Sequence, residues 1–233
     1  VAARDALLVG LAFSAGAADA ISYLALGKLF TAFMTGDVVV LGLRLADGGG
    51  QDVARIGVTL AAFGAGAMLA FWIVRPSIGA PLRLRRVSLT LGLGACAQAA
   101  FLGAWIASAG RPGAAVADAL TGLSALAMGL QGAAALALGL PGAVASAAVA
   151  SVAALAGEIA RRPLSPRARG RLAGVLLGLL AGVAAGAALL AAARPVAPAL
   201  PLGVSVVALA AARACPTDIA PRASNLARSR SSV

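Results

Sequence analysis

The sequence predicts an all-α, polytopic helical membrane bundle. Three observations carry that prediction. Of 233 residues, 61% are hydrophobic and only 12% are charged, whereas a soluble globular domain has about 25% charged residues. The mean hydropathy is +0.96. The apolar residues fall in long runs separated by Gly, Pro and Arg punctuation. A soluble fold of this length could not hide that much apolar surface, because a large apolar area stays exposed on any folded chain. Aromatic residues make up only 4%, so the helices are expected to be slim and closely packed.

Eight apolar segments follow one another at 6–27, 30–46, 54–74, 88–107, 115–138, 142–160, 172–193 and 199–214. A helix needs about 20 apolar residues to cross the hydrocarbon core. Segments 30–46 and 199–214 are short by that measure, and 142–160 is only just long enough. The breaks read Gly27-Lys28, Asp47 to Gly50, Arg75-Pro76, Arg111-Pro112, Pro141-Gly142, Arg162-Pro163 and Arg194-Pro195. Such residues punctuate helices. The N-terminal run is longer than a signal-peptide core and leads into further apolar runs.

The net charge is +11, from 19 Lys and Arg against 8 Asp and Glu. Thirteen of the 19 lie in Arg75 to Arg86, Arg161 to Arg171 and Arg213 to Arg230. Each stretch follows an apolar run, which is the positive-inside pattern and argues against nucleic acid as a partner. Both basic loops then belong on the cytoplasmic side, although three segments separate them. The conflict disappears if segments one and two, and segments five and six, each make one net crossing. That gives six net crossings with short or broken helices and both termini cytoplasmic. Eight crossings with one basic loop outside is the alternative.

The chain also looks duplicated. Ala15-Gly16-Ala17-Ala18-Asp19-Ala20 resembles Met128-Gly129-Leu130-Gln131-Gly132-Ala133 at an offset near 113 residues. The expected division is 1–110 as one transmembrane repeat, 111–215 as a second, and 216–233 as a basic tail without fixed structure. An odd number of crossings per repeat makes the repeats inverted, as in many transporters.

Several residues could carry chemistry. Asp19 lies inside an apolar segment, where an acid costs about 2.5–3.5 kcal/mol on insertion scales. It must face a cavity or a partner. Tyr23 lies four positions on, near the same helix face. Thr31, Thr35 and Asp37 can line one side of a short helix after the break, and Gly36 permits close approach. These groups could bind a proton or cation. Alternatively, Asp19 is a structural acid, and Thr35 and Asp37 satisfy backbone groups freed by the break. Gln131, Ser146 and Ser151 stand at comparable places in the second half and are neutral. Glu158 lies beside Arg161 and Arg162 and suits a local ion pair.

Gly174, Gly178, Gly182 and Gly186 recur every four residues, and Ala62, Gly66 and Ala70 echo them. Such ladders allow close helix packing, either internally or as a homo-oligomer seam.

The absence of histidine excludes His-dependent triads and imidazole metal sites. Cys96 and Cys215 have no metal-ligand spacing. No catalytic fingerprint is present. The expectation is therefore no enzyme, no metal and no cofactor.

Gly16-Ala17-Ala18-Asp19-Ala20, Leu24-Ala25-Leu26-Gly27, Phe30 and Met34-Thr35-Gly36-Asp37 resemble the signature of the YoaK-like bacterial transmembrane proteins. Asp37 replaces that family's usual Asn. Ala127-Met128-Gly129-Leu130-Gln131 matches the second motif, with Gly132 where Asn is usual. The resemblance implies a multi-pass inner-membrane protein and no particular activity. From the residues, the leading expectation is a small-solute or ion transporter in the lipid bilayer. Its site is Asp19, Tyr23, Thr31, Thr35 and Asp37, with Gln131 from the other half. The second expectation is a non-transporting assembly or sensory partner.

Overall fold

The computed structural model describes residues 2–74, 80–137 and 166–214, and among them all regular structure is helical. The helices are α1 (Ala2–Ala25), α2 (Met34–Ala46), α3 (Gly50–Val74), α4 (Ala80–Ala107), α5 (Ala114–Ala137), α6 (Pro166–Ala192) and α7 (Ala199–Ala214), with a 3-10 turn at Arg194–Val196. Six helices are long and apolar enough to cross a membrane; α2 is not one of them. The expected segment 142–160, with Ser146, Ser151 and Glu158, lies outside the described residues, as do Cys215 and the tail.

The helix stops follow the sequence punctuation. At the end of α1, Gly27 and Lys28 take left-handed φ values of 98° and 61°. The Lys28 N–H then donates to the Tyr23 carbonyl at 3.2 Å, closing a Schellman turn that satisfies an end carbonyl. The same six-to-one bond ends α2, from Gly49 to Arg44, and α4, from Gly110 to Trp105.

Helix directions follow from the buried clusters. Leu7, Leu8 and Leu11 of α1 pack with Val87 and Leu91 of α4, Ala134 and Ala135 of α5, and Ala208 of α7. Ile21 and Leu26 pack instead with Phe101 and Trp105, Ala117 and Leu120, and Ala197. So α1 and α4 run together, and α5 and α7 run against them. α6 runs with α1, because Gly178, Gly182 and Gly186 meet Val9, Phe13 and Ala17 in turn. α3 runs with α5, since Arg55 reaches Asp118 near one end and Ala70 packs on Leu130 and Ala133 toward the other. The six long helices therefore alternate in direction along the chain. Segments one and two together make a single net crossing, and the ends of α3 and α5 lie at the same face as the starts of α4 and α6.

The most extensive helix pairs are α1–α6 and α3–α5, and the two seams are built alike. Gly16 of α1 lies against the Leu179 carbonyl and Val183 N–H of α6; Gly129 of α5 lies against the Phe63 carbonyl and Ala67 N–H of α3. Gly182 of α6 lies against the Phe13 carbonyl, and Gly66 of α3 against the Leu126 carbonyl. Gly178 meets Val9, and Ala62 meets Gly122. Every α1 position maps to α5 by 113 (129 − 16, 126 − 13, 122 − 9), and every α6 position maps to α3 by 116 (182 − 66, 179 − 63, 178 − 62). A Cβ on the seam glycines would strike backbone, which cannot yield as a flexible side chain can. The α6 ladder was expected to serve internal packing or a second copy. Its buried glycines are filled by α1 of the same chain, so this stripe is an internal seam and offers no groove to another subunit.

The bundle exposes large apolar side chains and holds a set of polar groups among its buried apolar ones. Met68, Trp72 and Val207 are 71%, 65% and 68% exposed, while Ser14, Asp19, Thr31, Gln98, Ser124 and Gln131 are buried. Burial in water would select the reverse distribution. A hydrocarbon surround explains it.

Candidate functional site

The second expected segment, 30–46, differs from a continuous helix. Residues 26–33 form no regular helix, and α2 starts only at Met34. The cause is Asp19. Its Oδ1 accepts the N–H groups of Thr31 at 2.6 Å and Ala32 at 2.7 Å, and its Oδ2 accepts that of Phe33 at 3.0 Å. These donors are thus unavailable to helical carbonyls. In a hydrocarbon slab each unpaired N–H costs several kcal/mol, so the carboxylate stabilises a linker that could not otherwise lie buried.

Neighbouring helices finish the linker. Asp37 of α2 accepts the Phe30 N–H at 3.1 Å. Arg55 of α3 donates Nη2 to the Leu26 carbonyl at 3.1 Å and Nε to Asp118 of α5. Ser124 of α5 donates to Thr31 Oγ1 at 3.1 Å, and Thr31 Oγ1 donates to Asp19 Oδ1 at 3.3 Å. Gly27 is favoured by its φ, and a Cβ there would displace the Arg55 guanidinium from this position.

Of the six residues expected to form one site, Asp19 and Thr31 meet directly. Asp37 joins them through the linker; it is fully buried, and its Oδ2 has no hydrogen-bond partner. Thr35 is exposed on α2. Tyr23 is 40% exposed and stacks on Phe30 with ring centroids 5.1 Å apart. Four residues advance a helix about 40° past a full turn, and near the end of α1 that rotation carries the ring outward. Gln131 belongs to another cluster. It donates to the Leu11 carbonyl at 3.3 Å and accepts from Ser205 at 3.2 Å, while Ser205 and Ser14 are 3.3 Å apart. Leu11 precedes Asp19 by 19 − 11 = 8 residues, about 12 Å along α1.

Level with Asp19, toward the end of the bundle that carries Leu26 and Trp105, lies a small cavity lined by Ala18, Ile21, Gln98, Phe101, Ser124, Pro198 and Pro201. It has room for about one water molecule. Four lining residues come from the first half of the chain and three from the second. Gln98 is buried and its Oε1 has no hydrogen-bond partner among the described residues; the Ser124 hydroxyl leads from the cavity through Thr31 to Asp19. Neither acid lines the cavity wall. Gln98 and Ser124 were not among the expected site residues. The rule that singled out Asp19, a polar group inside an apolar run, applies to them as well, but neutral groups cost less and stand out less.

Six apolar helices of alternating direction among the described residues, with polar groups buried between them, define a polytopic helical membrane protein. A family model described as "Protein of unknown function (DUF1275)" matches residues 7–212, and the chain belongs to that family. No curated protein and no solved structure matches the chain.

Proposed function

We propose that the chain is a YoaK-like inner-membrane transporter for a small polar solute or ion, with its site in the cavity lined by Gln98 and Ser124. The observation that supports this reading is Gln98, a buried amide whose carbonyl oxygen has no partner and which lines a cavity shared by both halves of the chain. A buried unpaired acceptor costs about 1–3 kcal/mol. A ligand with a donor group would remove that cost. Intramembrane sites at the junction of two antiparallel halves are the usual place for substrate in such bundles. The recurring seams support a duplication into residues 1–110 and 111–215.

Eight arginines of the described helices, Arg4, Arg83, Arg85, Arg86, Arg167, Arg169, Arg171 and Arg213, lie toward the end of the bundle that carries Ala2 and Ala214. Five basic residues lie toward the opposite end: Lys28, Arg111, Arg194, Arg44, which pairs with Asp52 at 3.3 Å, and Arg55, which pairs with Asp118. The positive-inside rule then assigns the first end to the cytoplasm.

The role of Asp19 is to hold the linker, so its removal cannot separate transport from folding. Gln98→Leu can. In proteoliposomes tested with protons, alkali cations and small neutral solutes, this variant should lose about tenfold in flux, the equivalent of one polar contact. Its melting temperature should not fall. Flux of the parent protein that is unaffected by Gln98→Leu would reject the cavity as the site. The second reading, an assembly or sensory partner, loses one of its motives because α1 fills the glycine ladder.

A further inference from the structure

We propose that the cavity beside Gln98 and Ser124 binds a small primary amide or urea, because the other half of the chain fills the equivalent space with the carboxamide of its own Gln131. This inference rests on that cavity being the transport site, and it names the class of solute.

The two halves correspond beyond the seams. α1 maps to α5 by 113 and α3 to α6 by 116. Ser14 donates to the Pro201 carbonyl at 3.2 Å, and its counterpart Ala127 lies with its carbonyl against Gly94, so α4 maps to α7 by 201 − 94 = 107. The buried apolar clusters obey the same offsets. Leu7, Val74, Ala134 and Ala208 of one correspond to Leu120, Leu190, Ile21 and Phe101 of the other.

The polar groups correspond too. Gln131 Nε2 donates to the Leu11 carbonyl at 3.3 Å, and Gln131 Oε1 accepts from Ser205 at 3.2 Å. The counterparts of Gln131, Leu11 and Ser205 are Ala18 (131 − 113), Ser124 (11 + 113) and Gln98 (205 − 107). All three line the cavity. Ala18 lacks the amide that its counterpart carries, and the void stands where that amide would lie. Ile21 and Phe101, in place of Ala134 and Ala208, line the same void and narrow it. Admitting an amide requires one of these two side chains to shift, so the ligand is limited to the size of formamide, urea or acetamide.

The hydrogen-bond pattern selects the class. Ser124 gives its proton to Thr31, and Thr31 gives its own to Asp19. Toward the cavity Ser124 Oγ can then only accept, as the Leu11 carbonyl does for Gln131. Gln98 is buried and brings an amide donor together with a carbonyl oxygen that has no partner among the described residues. A primary amide or urea can donate to both oxygens and accept from the Gln98 amide. An alkali cation cannot use the donor, and a carboxylate cannot use the acceptors.

The test compares labelled acetamide and urea with rubidium ion and water in proteoliposomes. The parent protein should carry the amides, saturating on the order of millimolar concentration, as suits so few atoms. Acetamide should also raise its melting temperature in detergent. Ala18→Gln places the other half's own side chain in the void. It should lower amide flux at least about tenfold, abolish the acetamide shift and keep the parent's stability. If that variant fails to fold, Ala18→Gln with Ile21→Ala reproduces the Gln131 and Ala134 pair and carries the same expectation. Amides neither carried by the parent nor protective, or carried equally by Ala18→Gln, would overturn the proposal. Rubidium or water flux that Ala18→Gln blocks, with amides inert, would keep the cavity as the transport site and reject the amide. Protection by acetamide without flux of any solute would keep the amide site and remove the transport reading.

Discussion

Asp19 on α1 accepts both the main-chain N–H and the side-chain hydroxyl of Thr31, at 2.6 and 3.3 Å. One carboxylate thereby folds a buried linker against the helix that precedes it. An intramembrane acid is often assigned to an ion path. Here its oxygens are met by donors, and a cation would have to displace the backbone to reach them.

Asp19→Ala should cost about 3–9 kcal/mol, because three buried N–H groups lose their acceptor at about 1–3 kcal/mol each. Asp19→Asn should lose less, since its amide oxygen can still accept from Thr31 and Ala32 and only the Phe33 N–H would face a donor. Thermal unfolding in detergent measures both. A melting temperature equal to the parent's would remove Asp19 from this role.

Gly27→Ala and Gly48→Ala form a matched pair. Both positions have positive φ, 98° and 71°, and alanine there costs about 1–2 kcal/mol. Only at Gly27 would the new Cβ meet the Arg55 guanidinium; around Gly48 there is open space. Gly27→Ala should therefore lower stability more than Gly48→Ala. Equal losses would mean that Arg55 is not packed beneath the turn.

Gly182→Ala and Gly66→Ala should destabilise alike, by about 1–3 kcal/mol, because each Cβ would meet backbone in a packed seam. Gly203→Ala, where nothing is near, should gain up to about 1 kcal/mol from helix propensity. Denaturant titration in micelles compares the three. A large difference between the first two variants would argue against equivalent seams.

Trp105→Phe keeps the ring stack on Phe101 but loses the Nε1 bond to the Arg194 carbonyl, 2.8 Å long. That carbonyl belongs to the connection between α6 and α7, which Arg194 also ties to Gly110 at 2.7 Å. A loss of about 1–2 kcal/mol is expected. Faster proteolysis near Arg194 would accompany it.

The helices were readable because their causes are local. Apolar run length, Gly27-Lys28 and Arg111-Pro112 each act within a few residues. The similarity around Gly16 and Gly129 was also visible, since both glycines lie in matching short strings. The polar contacts were not. Ser124 is 93 residues from Thr31, and Arg55 is 63 from Asp118. No pattern within a window of a few turns links such positions. Tyr23 and Thr35 show the converse: helical spacing placed them beside the acids, but the roughly 40° offset along α1 carries Tyr23 outward, and the helix that restarts at Met34 leaves Thr35 exposed.

By itself the sequence determined the solvent and the spans. Hydrocarbon is demanded by composition, and helix length is set by bilayer thickness. Only the tertiary structure decided what the buried polar groups do. Within lipid, apolar helices gain little from one another beyond close packing and hydrogen bonds. Which carboxylate meets which backbone therefore depends on the full arrangement of seams, and that arrangement is a property of the assembled bundle.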